Sequence, residues 1–480
     1  MNFYFGAAKT LDRLDAKQGS IKGLIADIPE KERKRSAALV IETLKYKPVL
    51  KDVISAADLL RQERRIKTLN LALVLVHDLL FTPGGIQASG GPIKQAIMRH
   101  KTRLHGELQK IKIKRGVKSN SELVQSEDEK AAQIPRYIRV NTLLWTTDEA
   151  LQAYISQGFS LSNSLPTERS FSKDEHIPDL LIFPPQTSFQ EDTNYSSGRI
   201  ILQDKASCFP AVVLNPPCKE DAVVIDATAA PGNKTSHLSA LMRNKGKLFA
   251  FEKDKKRFST LKQMLEKARC YNVETIHCDF LAVDPTDPQF APTTHILLDP
   301  SCSGSGIINR LDHLLDTEQS NDGNEERLSK LASFQLMILR HAMKFPNVLR
   351  IVYSTCSIHA IENERVVEAA LSSEEAKVGS FTLAPQNEVL PTWPRRGLAS
   401  EMSDPNRAAS LVRCLPGEDN TNGFFVSCFV KGGKRKKRKL DTDRLQWGTG
   451  ETIIHATPNV REIINLVSFV NYEGAPPSSE

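Results

Sequence analysis

Apolar residues recur at three- and four-residue spacing through AALVIETLKYKPVLKDVISAADLLRQ (37–62) and TLNLALVLVHDLLF (68–81), the period of a half-buried helix. A turn rich in glycine and proline, TPGGIQASGGP (82–92), separates them from IKQAIMRHKTRLHGELQKIKIKR (93–115), which is helical in pattern and strongly basic. A helical domain is therefore expected over 1–115. The polar stretch GVKSNSELVQSEDEKAAQ (116–133) reads as a linker. Beyond it PRYIRVNTLL (135–144) alternates as a strand does, and a small α/β unit is expected over 134–200. GRIILQDKASCFPAVVLNPP (198–217) reads as a strand followed by a helix that leads into the main domain.

Over 201–431 the rhythm is strand, turn, helix, repeated. The expected strands are AVVID (222–226), KLFAFE (247–252), ETIHCD (274–279), HILLD (295–299), LRIVYST (349–355) and GFFVSCFV (423–430). RFSTLKQMLEKARC (257–270) and RLSKLASFQLMILRHAMKF (327–345) are the helices between them, and LDTEQSNDGNEE (315–326) is polar enough for a loop. Such alternation predicts an α/β fold, a doubly wound and mostly parallel sheet that binds ligands beyond the carboxyl ends of its strands.

The chain has 480 residues and a net charge of +7, a basic excess too small to name a partner. Its eight cysteines contain no CxxC pair, so zinc-finger spacing is absent and no metal is expected; their number fits a reducing compartment. The N-terminus has no extended apolar core and no window approaches a membrane span, so a soluble, intracellular protein is expected. The basic segment 93–115 faces either RNA or only water. The run KGGKRKKRK (431–439), opening a basic and weakly structured tail over 432–480, is a candidate nuclear-localisation or RNA-contact signal.

VVIDATAAPGNKT (223–235) is a strand ending in a glycine-bearing turn. Thr228, Ala229, Ala230, Pro231, Gly232, Asn233 and Lys234 would let a ligand approach the backbone closely. Lys234 and Thr235 invite a phosphate-loop reading, but Thr228 and Asn233 stand where that motif needs glycine, so nucleoside-triphosphate hydrolysis is disfavoured. The next strand ends in FEKDKKR (251–257). A carboxylate there can accept from both hydroxyls of a ribose; Glu252 is the first choice and Asp254 the second, with Arg257 in the same turn. Asp279, after the third strand, can reach a nucleobase edge. Without a GxGxxG pattern for a dinucleotide, these features point to S-adenosyl-L-methionine.

Two cysteines follow strand ends: Cys302 in LLDPSCSGSG (297–306) and Cys356 in RIVYSTCS (350–357). Their strands are expected to be neighbours, so both thiols would face one crevice beside Asp299. A lone cysteine is more often buried packing, but DPSCSGSG is too polar and glycine-rich for a core. The residues alone do not say which thiol attacks. Cys218 precedes the first strand and lies at the wrong end of the sheet, while Cys208, Cys270, Cys278, Cys414 and Cys428 read as packing residues.

DATAAPGNKT, DPSCSGSG and VYSTCS resemble the signature motifs of the Sun-domain family of RNA cytosine-5 methyltransferases. PRYIRVNT, LQDKASCFP and QGSIKGL (18–24) add to the resemblance, which covers roughly 130–430. The GNKT and DPSCSGSG variants look most like the family's fifth branch, nucleolar enzymes that modify large-subunit ribosomal RNA. The resemblance implies a Rossmann-like methyltransferase domain, S-adenosyl-L-methionine as cofactor, and catalytic Cys356, Cys302 and Asp299. Cys356 would be the nucleophile, Cys302 the thiol that assists release, and Asp299 the group that holds the base. The family mostly has Cys at 228, Gly at 233 and Asp at 252, where this chain has Thr228, Asn233 and Glu252. Arg136, Arg139, the 93–115 segment and the tail would hold the RNA backbone while a base is splayed out. Two other readings stand beside this one. One is a catalytically idle ribosome-assembly factor, against which the intact thiol pair argues. The other is a DNA methyltransferase, disfavoured because Ser301 separates Pro300 from Cys302.

Overall fold

The computed structural model describes residues 1–16, 18–19, 21–123, 134–307 and 321–432. The basic cluster 434–439, the tail and most of the linker lie outside the described residues.

The N-terminal region is helical, with α1 (Asn2–Asp15), α2 (Glu30–Lys45), α3 (Lys47–Ala56), α4 (Leu69–Phe81), α5 (Pro92–Arg99) and α6 (Lys101–Arg115). The apolar run 37–62 is broken into pieces because Pro48 lacks an N–H and opens a new helix at its first turn. Helix α4 is apolar on every side, and Leu71 to Leu80 are buried accordingly. Thr68 caps it by accepting from the Leu71 N–H at 3.2 Å.

The small unit is a five-stranded sheet ordered β2 (Ser160–Leu161), β3 (Ser170–Lys173), β4 (Leu180–Phe183), β1 (Arg136–Val140) and β5 (Ile200–Leu202), with helix α7 (Thr147–Ser156). Thr146 and Glu149 form a reciprocal capping box at the start of α7. Strand β1 pairs antiparallel with both β4 and β5, so it is central and buried along most of its length. Helix α8 (Lys205–Leu214), capped by Asp204, then leads to the larger sheet.

The larger sheet runs β11 (Phe381–Leu383), β13 (Phe424–Lys431), β10 (Arg350–Thr355), β9 (His295–Leu298), β6 (Val223–Asp226), β7 (Lys247–Phe251), β8 (Val273–Ile276), with β12 (Val412–Cys414) paired to β13. The five strands from β10 to β8 are parallel, and β13 joins the β10 edge antiparallel. The central strands are apolar on both faces because helices cover both. Among these are α9 (Asn233–Leu241), α10 (Lys255–Lys267), α11 (Asn321–Ala342) and α12 (Glu364–Leu371). Helix α11 begins at Asn321, so the polar residues 321–326, expected as loop, are its first turns. Cys208, Cys414 and Cys428 are buried, and Cys218 is exposed ahead of β6, as expected. Among the described residues no helix is long and apolar enough to cross a membrane.

Candidate active site

The carboxyl ends of β6, β9 and β10 lie side by side, which is where chain order reverses across the sheet. β9 and β10 pair in parallel with Leu298 opposite Tyr353, so the loops that follow them emerge together. This brings Cys302 and Cys356 to a Sγ–Sγ distance of 3.1 Å, neither being disulfide-bonded. Each thiol is partly accessible to solvent. Hydrogen bonding to Cys356, then burial, then the charge of Cys356, and after these the charges of Glu362 and Asp299, push the Cys302 thiol well above its usual range. Cys302 is thus held as S–H, the natural donor in the S–H···S contact.

Asp299 follows β9 directly and is held from three sides. Lys234 Nζ donates to Oδ2 at 2.8 Å, Ser354 Oγ donates to Oδ1 at 2.8 Å, and the Asp299 N–H donates to Thr228 Oγ1 at 2.9 Å. Burial pulls the Lys234 ammonium down, but the Asp299 carboxylate more than compensates and raises it. The field of Cys356 also acts on Lys234, so ammonium, carboxylate and thiol pair form one charge system. The Thr228 hydroxyl tethers the segment bearing Asp299.

The glycine turn joins β6 to α9. Gly232 has φ +112°, and a Cβ there would meet Met264 Cγ at 3.0 Å and Leu261 Cδ1 at 3.2 Å, so only glycine fits against α10. Lys234 turns toward Asp299 rather than outward, and the Thr235 hydroxyl donates to buried Asp226 at 2.8 Å. Neither side chain is disposed as in a phosphate loop. At the β7 tip Glu252 accepts from the Asp254 N–H at 2.8 Å through Oε1, leaving Oε2 3.4 Å from Arg257. Arg257 in turn donates to the Ala230 carbonyl at 2.6 Å, tying Glu252 to the glycine turn. Asp254 does not compete with Glu252, because its carboxylate caps α10 by accepting from the Arg257 N–H. Asp279 caps the turn Phe280–Ala282 and lies 3.5 Å from Lys253. The donor set fits a nucleoside cofactor: a strand-tip acid with an oxygen to spare, a close backbone approach at Ala229 and Ala230, and the buried, unpartnered Asn233 Oδ1 at the mouth of α9.

Two groups that hold the site were not singled out in the sequence. Glu362 and Gln335 are fully buried beneath the Cys302 loop. Asn363 fixes the other loop, accepting from Thr355 Oγ1 at 2.5 Å and donating to the Ser357 carbonyl at 2.9 Å. Glu362 and Asn363 both lie in IENERVVEAAL, where helical periodicity alone reads as a solvated face.

Arg139 departs from expectation. It is 1% exposed, with Nε donating to Gln203 Oε1 at 2.8 Å and Nη2 to Ser236 Oγ at 2.8 Å. It therefore joins β1 to α9 and does not reach RNA. Tyr137 is likewise buried, its hydroxyl donating to the Asn420 carbonyl, whereas Arg136 is exposed. Some of the 93–115 cations have partners within the fold, although most stay exposed. Arg99 donates to Glu63 through Nε and Nη2, Lys112 is buried against Asn120, and Arg115 pairs with Asp52 at 3.2 Å. Lys101 and Lys114 are exposed, as are Arg61, Arg64, Arg65 and Lys67 ahead of α4, a cluster that the helical pattern did not pick out.

Comparison with known proteins agrees with this geometry. Residues 211–430 match the model of 16S rRNA methyltransferase RsmB/F. Residues 34–124 and 134–203 match the N-terminal and ferredoxin-like domains of NOL1/NOP2/Sun domain family member 5. A 25S rRNA (cytosine-C(5))-methyltransferase of Schizosaccharomyces pombe is 45% identical over 89% of this chain and 91% of its own length. A 28S rRNA (cytosine-C(5))-methyltransferase of Mus musculus is 42% identical over 90% of this chain and 91% of its own. The crystal structure of a methyltransferase homolog protein from Pyrococcus horikoshii shares the fold, with TM-score 0.50 and 23% identity over 78% of this chain and 99% of that one. With a thiol pair, an acid and a glycine turn assembled at the strand ends, and relatives of this identity along nearly its whole length, the chain belongs to the NOL1/NOP2/Sun domain family of RNA cytosine-C5 methyltransferases, on the branch of its fifth member.

Proposed function

We propose that this protein methylates C5 of a cytosine in large-subunit ribosomal RNA through a covalent bond between Cys356 and C6 of the base. The observation that carries this reading is the 3.1 Å thiol pair beside Asp299 at the mouth of the glycine turn. Cytosine C5 is a poor nucleophile. Addition of the Cys356 thiolate to C6 makes C5 an enamine carbon and splits one difficult step into easier ones. Asp299, held by Lys234 and Ser354, accepts from the amine of the base and from N3–H as N3 takes a proton from water, which stabilises the adduct as the thiolate adds. S-adenosyl-L-methionine, when bound, supplies an electrophilic methyl group for C5. The residues that would hold it are Thr228 to Lys234, Glu252, Arg257 and Asp279. The proton on C5 then leaves to water, its bonding pair forms the C5–C6 double bond, and the pair of the C6–S bond returns to the Cys356 sulfur. Cys302, kept as S–H, donates to that sulfur as it departs.

The proposal assigns 1–115 and 134–200 to RNA binding and 201–431 to methyl transfer. Pre-ribosomal RNA is assembled in the nucleolus, so a nucleolar location and a role in ribosome biogenesis follow from the substrate. Deproteinised large-subunit RNA from cells lacking the enzyme, incubated with the pure protein and S-adenosyl-L-methionine and read by bisulfite sequencing, should gain protection at a single cytosine. The absence of any protected cytosine, with RNA bound, would favour an assembly factor without activity.

A further inference from the structure

We propose that Glu362 is the positioning residue of Cys302: its carboxylate fixes the loop carrying that thiol, so that the S–H is held against the Cys356 sulfur it serves on release. The inference rests on the assignment of Cys356 as nucleophile and Cys302 as its partner in release.

Glu362 is fully buried. Its carboxylate accepts from the Ser303 N–H at 2.9 Å, from Ser303 Oγ at 2.6 Å and from Gln335 Nε2 at 3.0 Å. Gln335 Nε2 also donates to the Ser301 carbonyl at 3.0 Å. The residues on both sides of Cys302 are therefore held by one buried pair. Tyr353 secures that pair, sharing its hydroxyl between Gln335 Oε1 at 3.1 Å and the Glu362 carbonyl at 2.5 Å. Ser303 Oγ also reaches Ser357 Oγ at 3.1 Å, the residue after Cys356, while the loop of Cys356 itself is fixed by Asn363.

Among the described residues no cation lies within ion-pair distance of Glu362, although a buried acid is ordinarily paired with one. Its oxygens are met instead by neutral donors, the Ser303 N–H and hydroxyl and the Gln335 amide. The nearby ammonium, Lys234, is engaged by Asp299 on the other side of the pair. A negative charge beside Cys302 disfavours its thiolate, and Glu362 contributes to holding that thiol high. The arrangement gives two like thiols different tasks, with the one over the carboxylate kept protonated.

The test follows release separately from methyl transfer, using deproteinised large-subunit RNA and tritiated S-adenosyl-L-methionine with wild type, Cys302→Ala, Glu362→Gln and Ser303→Ala. Cys302→Ala should accumulate a protein–RNA adduct that survives denaturing gels. Failure of that control would overturn the underlying thiol assignment and this inference with it. Glu362→Gln should methylate in its first turnover within threefold of wild type, lose at least tenfold in steady-state turnover, and accumulate the same adduct. Ser303→Ala removes one anchor of the same loop and should also accumulate adduct, to a smaller extent. If Cys302→Ala accumulates adduct while Glu362→Gln and Ser303→Ala both turn over as wild type, the inference is wrong. It is equally wrong if Glu362→Gln abolishes the first turnover while Ser303→Ala behaves as wild type, since Glu362 would then be a structural residue only.

Discussion

Two carboxylates lie near Lys234, and their surroundings separate them. Asp299 has the ammonium at 2.8 Å from Oδ2 and the Ser354 hydroxyl at 2.8 Å from Oδ1. Asp226, at the end of β6, is 1% exposed, and burial raises it to about 6 despite the Thr235 hydroxyl. A folded-state value above the ordinary 3.8 means that the folded protein binds this proton more tightly than the unfolded chain. The resulting stabilisation is complete below about pH 3.8 and is lost as pH rises through about 6. Between about pH 5 and pH 7.5 wild type should lose on the order of 1 kcal/mol from this group. Asp226→Asn, which keeps an acceptor for Thr235, should lack that part of the slope. Urea unfolding of both proteins at the two pH values checks it, and identical slopes would contradict the assignment. Asp226 precedes the glycine turn in every reading of the sequence, yet its protonation was not legible there. It depends on burial by strands far away in the chain.

At the level of elements, the period-2 and period-3.6 patterns located most strands and helices because each buries one consistent face or both. They failed where a chain-local signal was outweighed. Pro48 split an apolar run, and the polar residues 321–326 joined α11. Arg139 is the plainest case. In PRYIRVNT an arginine near tyrosine looks like an RNA contact, but β1 is an interior strand of its sheet, and Arg139 faces α9 of the methyltransferase domain. The guanidinium instead links β1 to the first turn of α9 through Ser236, and Gln203 carries the link to the Ser207 carbonyl at 3.0 Å. The small unit is thereby joined to the helix that opens the glycine turn. Arg139→Ala would leave Gln203 and Ser236 buried without their donor and should cost about 2–4 kcal/mol in urea unfolding. A loss below about 0.5 kcal/mol, the range of a surface change, would show that the joint is not rigid.

For the whole molecule, the motifs made the methyltransferase half readable: the three loops that carry them meet at one end of one sheet, as strand order requires. The RNA-facing surface was less readable, since charge alone does not tell an arginine paired with Glu63 from an unengaged one. Arg61, Arg64, Arg65 and Lys67 are exposed beside the exposed cations of 93–115, such as Lys101 and Lys114. The central claim concerns which sulfur attacks. RNA containing 5-azacytidine, taken from cells expressing wild type, Cys356→Ala or Cys302→Ala, traps the bond between thiol and C6, and sequencing the crosslinked RNA identifies the target. A covalent adduct on a large-subunit cytosine that is present in wild type and Cys302→Ala but lost in Cys356→Ala is the predicted result. An adduct that survives Cys356→Ala and disappears with Cys302→Ala would contradict the account and exchange the two roles.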